Sequence, residues 1–271
     1  MPSNLLEKMH RFRDRVLENA SISSGQVVLD VGCGDGLIGF GALDRAGPHG
    51  RVIFSDVSSE LVGGCRVTAQ RRGVLDRCQF VVAPATDLGQ IADRSVDVVT
   101  TRSVLIYVDD KPSALGEFFR VLRPGGRLSI GEPINQFTYP EPRGVFLGYD
   151  VSPVRELADK LEAFFDQEER PKIASMMDFN ERDLLAMTER AGFSSIHLTF
   201  EADVRPVEPE DWDRFMNTAG NPLSPTMAQA IDATMTVAER DRFTAYLRPL
   251  VESGDGIERR AFAYLFATKP R

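Results

Sequence analysis

The chain has 271 residues, enough for one large domain or for one domain carrying a sizeable insertion. Hydrophobic residues make up 42% and charged residues 27%, a balance that fits a globular protein with a substantial core and not a disordered or fibrous chain. A formal charge of −8 argues against a surface built to neutralise phosphates, so no nucleic-acid partner is expected.

The predicted elements begin with an amphipathic helix over 5–19, in which Leu5, Met9, Phe12, Val16 and Leu17 share a face. Ser23-Ser24-Gly25 breaks it. Val27–Val31 reads as a strand, Leu37–Ala46 as a helix closed by Gly47-Pro48, and Arg51–Ser55 as a second strand. Ser58–Arg72 is a predicted helix, with Ser58 or Ser59 as N-cap and Gly73 as C-cap. Gln79–Val82 and Val96–Thr101 read as strands, Pro112–Leu122 as a helix, and Arg127–Gly131 as the fifth strand. Nearly all-apolar strands alternating with helices point to a parallel sheet covered on both faces, with right-handed crossovers.

Residues 134–178 show no clear strand but carry Phe137, Tyr139, Phe146, Tyr149, Phe164 and Phe165. Asn180–Ala191 reads as a helix capped by Asn180 and stopped by Gly192, and Ser195–Phe200 as a strand. Helical pieces follow at 210–218, 225–235 and 238–252, the last with Pro249 expected to bend or shorten it. Arg260–Thr268 closes the chain as a strand. The organisation expected is a single α/β domain with a core over about 20–133, 180–204 and 257–271, and two lid inserts at about 134–179 and 205–256.

Three cysteines (Cys33, Cys65, Cys78) are too few for a disulfide framework and lack CxxC spacing, so reduced thiols and no metal site are expected. Met1 to Glu18 lacks the apolar core of a secretory signal, and no apolar run approaches the roughly 20 residues of a membrane span. These features predict a cytoplasmic protein with no membrane partner, a monomer or a homodimer.

The stretch 27–36, VVLDVGCGDG, concentrates the chemistry. A strand feeding a glycine-rich turn and a helix places bare main chain at the carboxyl edge of a sheet, where open α/β folds bind ligands. The spacing is Gly32-x-Gly34-x-Gly36, whereas a dinucleotide fingerprint has its third glycine one residue later. Asp30 and Asp35 bracket the turn. Two carboxylates suit a cation better than a pyrophosphate.

This stretch resembles motif I of the class I S-adenosylmethionine-dependent methyltransferases, and the resemblance extends over residues 27–133. Asp56 closes RVIFSD, CQFVVAPATDL (78–88) resembles the third motif, VDVVTTRSVLIYVDD (96–110) the fourth, and LRPGGRLSIGEP (122–133) the signature around strand five. The general look is that of the small-molecule enzymes related to the ubiquinone/menaquinone and arsenite methyltransferases. The fold implied is α/β: a Rossmann-like, doubly wound seven-stranded sheet with helical lid insertions after strands 5 and 6. The cofactor implied is S-adenosyl-L-methionine, with S-adenosyl-L-homocysteine as product.

Carried over by position, Asp30 with Gly32, Cys33 and Gly34 would hold the methionine end of the cofactor. Asp56 and Val57 would grip ribose and flank adenine, and Ala85 and Thr86 would offer backbone to the adenine edge. Pro84 stands where the family often has an acid, which leaves adenine to Asp87 or to backbone and packing. Arg102 sits where family members line the methionine moiety and the transferable methyl. On the acceptor side, Tyr107 is the first choice, with Glu132 at the end of strand five and Tyr149 in the first insert also expected to be catalytic; Tyr139, His10 and His197 are further candidates.

The sulfonium is already an activated methyl donor, so alignment of the acceptor matters more than a covalent nucleophile, and a base is needed only if the acceptor must lose a proton. Residues 134–179 hold seven of the chain's 23 aromatics, and Met176 and Met177 add adaptable apolar surface. A small, partly hydrophobic or aromatic acceptor is expected. The arsenite reaction is disfavoured, because the thiols belong to the cofactor turn, a helix and a strand start. The alternatives are an NAD-dependent oxidoreductase, a methyltransferase-like binding protein without transfer, and, last, aminopropyl transfer.

Overall fold

The apolar runs become β1 (Val27–Val31), β2 (Arg51–Asp56), β3 (Cys78–Val82), β4 (Val96–Arg102) and β5 (Leu122–Pro133) of the computed structural model, followed by β6 (Ser194–Pro206) and β7 (Ile257–Thr268). They form one seven-stranded sheet in the order β3-β2-β1-β4-β5-β7-β6. The first five strands are parallel, and β7 runs antiparallel to β5. The helices are α1 (Ser3–Ala20), α2 (Leu37–Arg45), α3 (Ser59–Arg71), α4 (Lys111–Val121), α5 (Asn135–Thr138), α6 (Arg155–Glu168), α7 (Glu181–Arg190), α8 (Trp212–Asn217), α9 (Met227–Thr234) and α10 (Val237–Ser253). The structure describes residues 3–168, 174–219 and 224–271.

The chain divides into two compact units. The first comprises Met1–Pro133, Phe179–Glu201 and Phe262–Arg271. One face of its sheet, carrying Val28, Val52, Phe54, Val98 and Tyr264, builds a core with Val16 and Leu17 of α1, Ile38 and Leu43 of α2, and Val62 and Ala69 of α3. The alternate residues Leu29, Val99, Leu128 and Ile130 are equally buried, so both faces are covered, as a doubly wound sheet requires. α1 lies close on β5: the Ser129 hydroxyl donates to the Val16 carbonyl at 2.7 Å, and a Cβ on Gly131 would press on Val16.

Register decides which residues reach the carboxyl edge together. Asp30 pairs with Thr100, Arg102 with Gly131, and Gly131 with Tyr264, which sets Asp30, Thr100, Arg102 and Tyr264 on one face of neighbouring strands. β5 starts at Leu122, earlier than expected, because Leu122 pairs with Val96 before the register shifts at the Pro124-Gly125-Gly126 stretch.

The second unit comprises Ile134–Asp178 and Ala202–Ala261. Its core gathers Leu157 and Leu161 of α6, Trp212 of α8, Ala230 and Ile231 of α9, and Phe243, Leu247 and Val251 of α10. The expectation of no strand in 134–178 is corrected: Val145–Phe146 and Tyr149–Asp150 make a short antiparallel hairpin, its Leu147 and Gly148 amides both donating to Glu141 at 2.7 Å. The shortening expected at Pro249 is also corrected. α10 continues to Ser253 and stops at Gly254, φ +71°, because proline removes a single amide bond while Phe243, Leu247 and Val251 stay buried along one face.

Candidate active site

Three turns at the carboxyl edge of the first unit's sheet carry the site. Asp30 sits near the end of β1 at 1% exposure. Its Oδ1 accepts the Thr100 hydroxyl at 2.9 Å, while Oδ2 is buried without a hydrogen-bond partner among the described residues. Burial pushes its carboxyl up to about 7, opposed by the Thr100 hydroxyl, by the nearby Gly39 amide and by the charge of Arg102.

The turn after β1 needs its glycines for conformation: Gly32, Gly34 and Gly36 have φ of +65°, +53° and +86°. A Cβ on Gly34 would meet nothing within 4 Å, so open space lies before that residue. A Cβ on Gly32 would collide with the Val104 side chain, so the turns after β1 and β4 abut.

Asp56, at the end of β2, ties two loops together. Its Oδ2 accepts the Gly34 amide at 3.0 Å and its Oδ1 the Ser58 amide at 2.9 Å, leaving further lone pairs for hydroxyl donors. Val57 beside it is 70% exposed, an apolar surface held out at the rim. Beyond β3, Ala85 is buried and Thr86 half-buried. Asp87 is exposed; its amide donates to the Pro84 carbonyl and its carboxylate accepts the Gly89 amide, both at 3.1 Å.

Cys33 and Cys65, distant in sequence, bring their sulfurs to 3.9 Å, and the Cys65 thiol donates to the Gly34 carbonyl at 3.3 Å. The shared hydrogen bond, burial and the Asp30 and Asp56 carboxylates push the Cys33 thiol up, so it is no nucleophile at neutral pH.

Arg102 ends β4 and has no hydrogen bond or ion pair among the described residues, although its charge reaches Asp30, Tyr107 and Tyr264. Ser103 next to it takes the left-handed conformation, φ +53°, at a cost of about 1 kcal/mol, and donates its amide to Gly131 at 2.8 Å. Tyr107 follows on a 3-10 turn, about half exposed; partial burial and then the Glu132 charge push its phenol up, which makes it a hydrogen-bond donor and not a base near neutral pH.

Glu132 lies behind that turn with 0% exposure. Its Oε1 accepts the amides of Val104 and Leu105 at 2.8 and 3.0 Å, and its Oε2 that of Ile106 at 3.3 Å. Burial pushes its carboxyl up to about 7, with the three amides and Lys111 pulling the other way. Glu132 thus faces main chain, in contrast to its expected place at the open edge. Tyr149 is enclosed in the second unit at 2% exposure, its ring edge-on to Phe215 with centroids 6.2 Å apart, so the structure gives it a packing place. His10 and His197 are exposed on α1 and β6. Thr100 and Val104 are partners that the sequence reading missed: a hydroxyl inside an apolar strand and a valine in a turn carry no local signal.

Residues 22–192 match a family model described as a methyltransferase domain. The chain belongs to that family. This methyltransferase is 28% identical over 204 residues to the ubiquinone/menaquinone biosynthesis C-methyltransferase UbiE of Hydrogenovibrio crunogenus, a match covering 70% of the chain and 79% of the relative. It is 28% identical over 194 residues to an arsenite methyltransferase of Halobacterium salinarum, covering 72% of the chain but only 44% of that relative. Among solved structures, phosphoethanolamine N-methyltransferase 2 of Haemonchus contortus, in complex with phosphomonomethylethanolamine and S-adenosylhomocysteine, aligns with a TM-score of 0.56 at 16% identity, over 96% of this chain and 52% of that one. The chain is a class I S-adenosylmethionine-dependent methyltransferase of the small-molecule type, on a Rossmann-like fold. No helix among the described residues is long and apolar enough to cross a membrane.

Proposed function

We propose that the first unit binds S-adenosylmethionine at the carboxyl edge of its sheet and transfers the methyl, by in-line displacement, to a small, partly hydrophobic or aromatic acceptor. The observation that carries this reading is the orphaned Oδ2 of Asp30, a buried carboxylate oxygen beside a turn of bare main chain. Such an oxygen is costly unless a donor or a cation meets it; an ammonium is both, and a sulfonium supplies the charge alone. A pyrophosphate there would add negative charge beside Asp30 and Asp56, which disfavours the dinucleotide reading.

When bound, S-adenosylmethionine supplies a methyl group on a positively charged sulfur. The residues proposed to hold it are Asp30, Gly32, Cys33 and Gly34 at the methionine end, Asp56 and Val57 at ribose and adenine, and Ala85, Thr86 and Asp87 along the base. Arg102, unpaired among the described residues, is assigned to the methionine carboxylate, where its charge is neutralised. Tyr107 is the proposed acceptor-side catalytic residue; its protonated phenol orients an acceptor by donating a hydrogen bond.

Calorimetry with S-adenosylhomocysteine tests the reading. Asp56→Ala is expected to weaken binding by roughly 1–3 kcal/mol, through loss of hydrogen bonds to ribose hydroxyls. Equal affinity in wild type and variant refutes the assignment of Asp56, and no binding to wild type refutes the cofactor.

A further inference from the structure

We propose that Glu132 is a positioning residue: its carboxylate gathers three consecutive backbone amides and so sets the turn after β4 against the cofactor turn after β1. The reach on the cofactor rests on the methyl-transfer reading above, whereas the clamp itself does not.

Four observations converge. Both Glu132 oxygens are occupied by Val104, Leu105 and Ile106 amides, from residues 26–28 positions earlier in the chain. The side chain is closed to solvent, so no substrate touches it. The turn it holds begins at Ser103, whose left-handed backbone needs something to stabilise it, and charge-assisted bonds to successive amides do so. Val104, the first residue held, stands against the place where Gly32 lacks a side chain. A displacement of the turn therefore moves the wall of the cofactor turn, together with Arg102 on one side and Tyr107 on the other. Lys111 on α4 adds a favourable charge to the carboxylate.

A glutamine at 132 keeps one carbonyl oxygen, which serves Val104 and Leu105, but presents N–H to the Ile106 amide. An alanine removes all three acceptors. Amide hydrogen exchange read residue by residue should therefore be graded. Glu132→Gln exposes Ile106 alone, and Glu132→Ala exposes Val104, Leu105 and Ile106, each by about tenfold or more. Affinity for S-adenosylhomocysteine should fall by about tenfold in Glu132→Ala and by less in Glu132→Gln. Asn180→Ala, which weakens a helix cap elsewhere in the same unit, serves as a control that lowers the melting temperature without moving that affinity. Unchanged protection of all three amides in either variant overturns the clamp. Lost protection with unchanged affinity overturns its reach to the cofactor turn. Should Glu132→Ala fail to fold, the glutamine variant decides both points by itself. A wild type that never binds S-adenosylhomocysteine defeats the methyl-transfer reading and leaves the exchange pattern as the test of the clamp.

Discussion

Two buried carboxylates at the sheet edge differ in one respect: Glu132 has both oxygens satisfied, and Asp30 has one left over. That difference separates a group that holds the protein's own main chain from the one we propose meets a ligand. With Asp30 raised to about 7 in the free protein, a bound cation lowers its pKa and releases a proton. Binding of S-adenosylhomocysteine should tighten as pH rises through about 7, with proton release visible as a dependence of calorimetric heat on buffer ionisation. Asp30→Asn should abolish that dependence; its persistence in the variant would assign the proton elsewhere. The sequence points to the role of Asp30 and not to that of Glu132. Asp30 is marked there by its place before the glycines, but its orphaned oxygen depends on Thr100 lying opposite on β4. Glu132 reads as an acid at a strand end, and its amide partners appear only once β4 and β5 are in register.

At the scale of elements, local signals served best where the chain makes its own bonds. Asn180 is the clearest case: its side chain accepts the Arg182 and Asp183 amides at 2.9 and 3.1 Å, and Asp183 returns a bond to its amide at 3.0 Å. Asn180→Ala should cost about 1 kcal/mol and lower the melting temperature by about 2–4 °C, measured by calorimetric unfolding. Strand ends were less legible, since pairing extends them: β7 begins at Ile257, not Arg260, and β6 continues to Pro206. α6 was not anticipated, although Leu157, Leu161 and Phe164 fall at helical spacing, because the aromatic content of that stretch suggested a ligand surface more strongly than a periodic face. Cys33 and Cys65 read as separate thiols, and only the packing of α3 on the turn after β1 brings them together.

For the whole molecule, these charges set a stability profile against pH. Asp30 and Glu132 have folded-state values of about 7, above those of an unfolded chain, so the stability they permit is present at low pH and lost as pH rises through about 7. Glu117, lowered chiefly by its Arg120 hydrogen bond, works in the opposite sense: its contribution is present above the unfolded carboxylate value and lost as pH falls through the depressed one. These two carboxylates alone should therefore make the free protein melt higher at about pH 5 than at about pH 8. A melting temperature that climbs steadily to pH 8 would contradict the burial of both carboxylates. The sequence marks the two inserts separately by the loss of strand–helix rhythm, whereas their shared core rests on packing of α6, α9 and α10 that no single segment announces.

The chain's one tryptophan, Trp212, is stacked on Phe215 inside the second unit, whereas all three cysteines belong to the first. Nature has thus dyed the two halves differently: indole emission follows the loosening of one, and thiol labelling that of the other. A single denaturant series read through both colours tells whether the halves come apart together or in turn, with no engineered reporter.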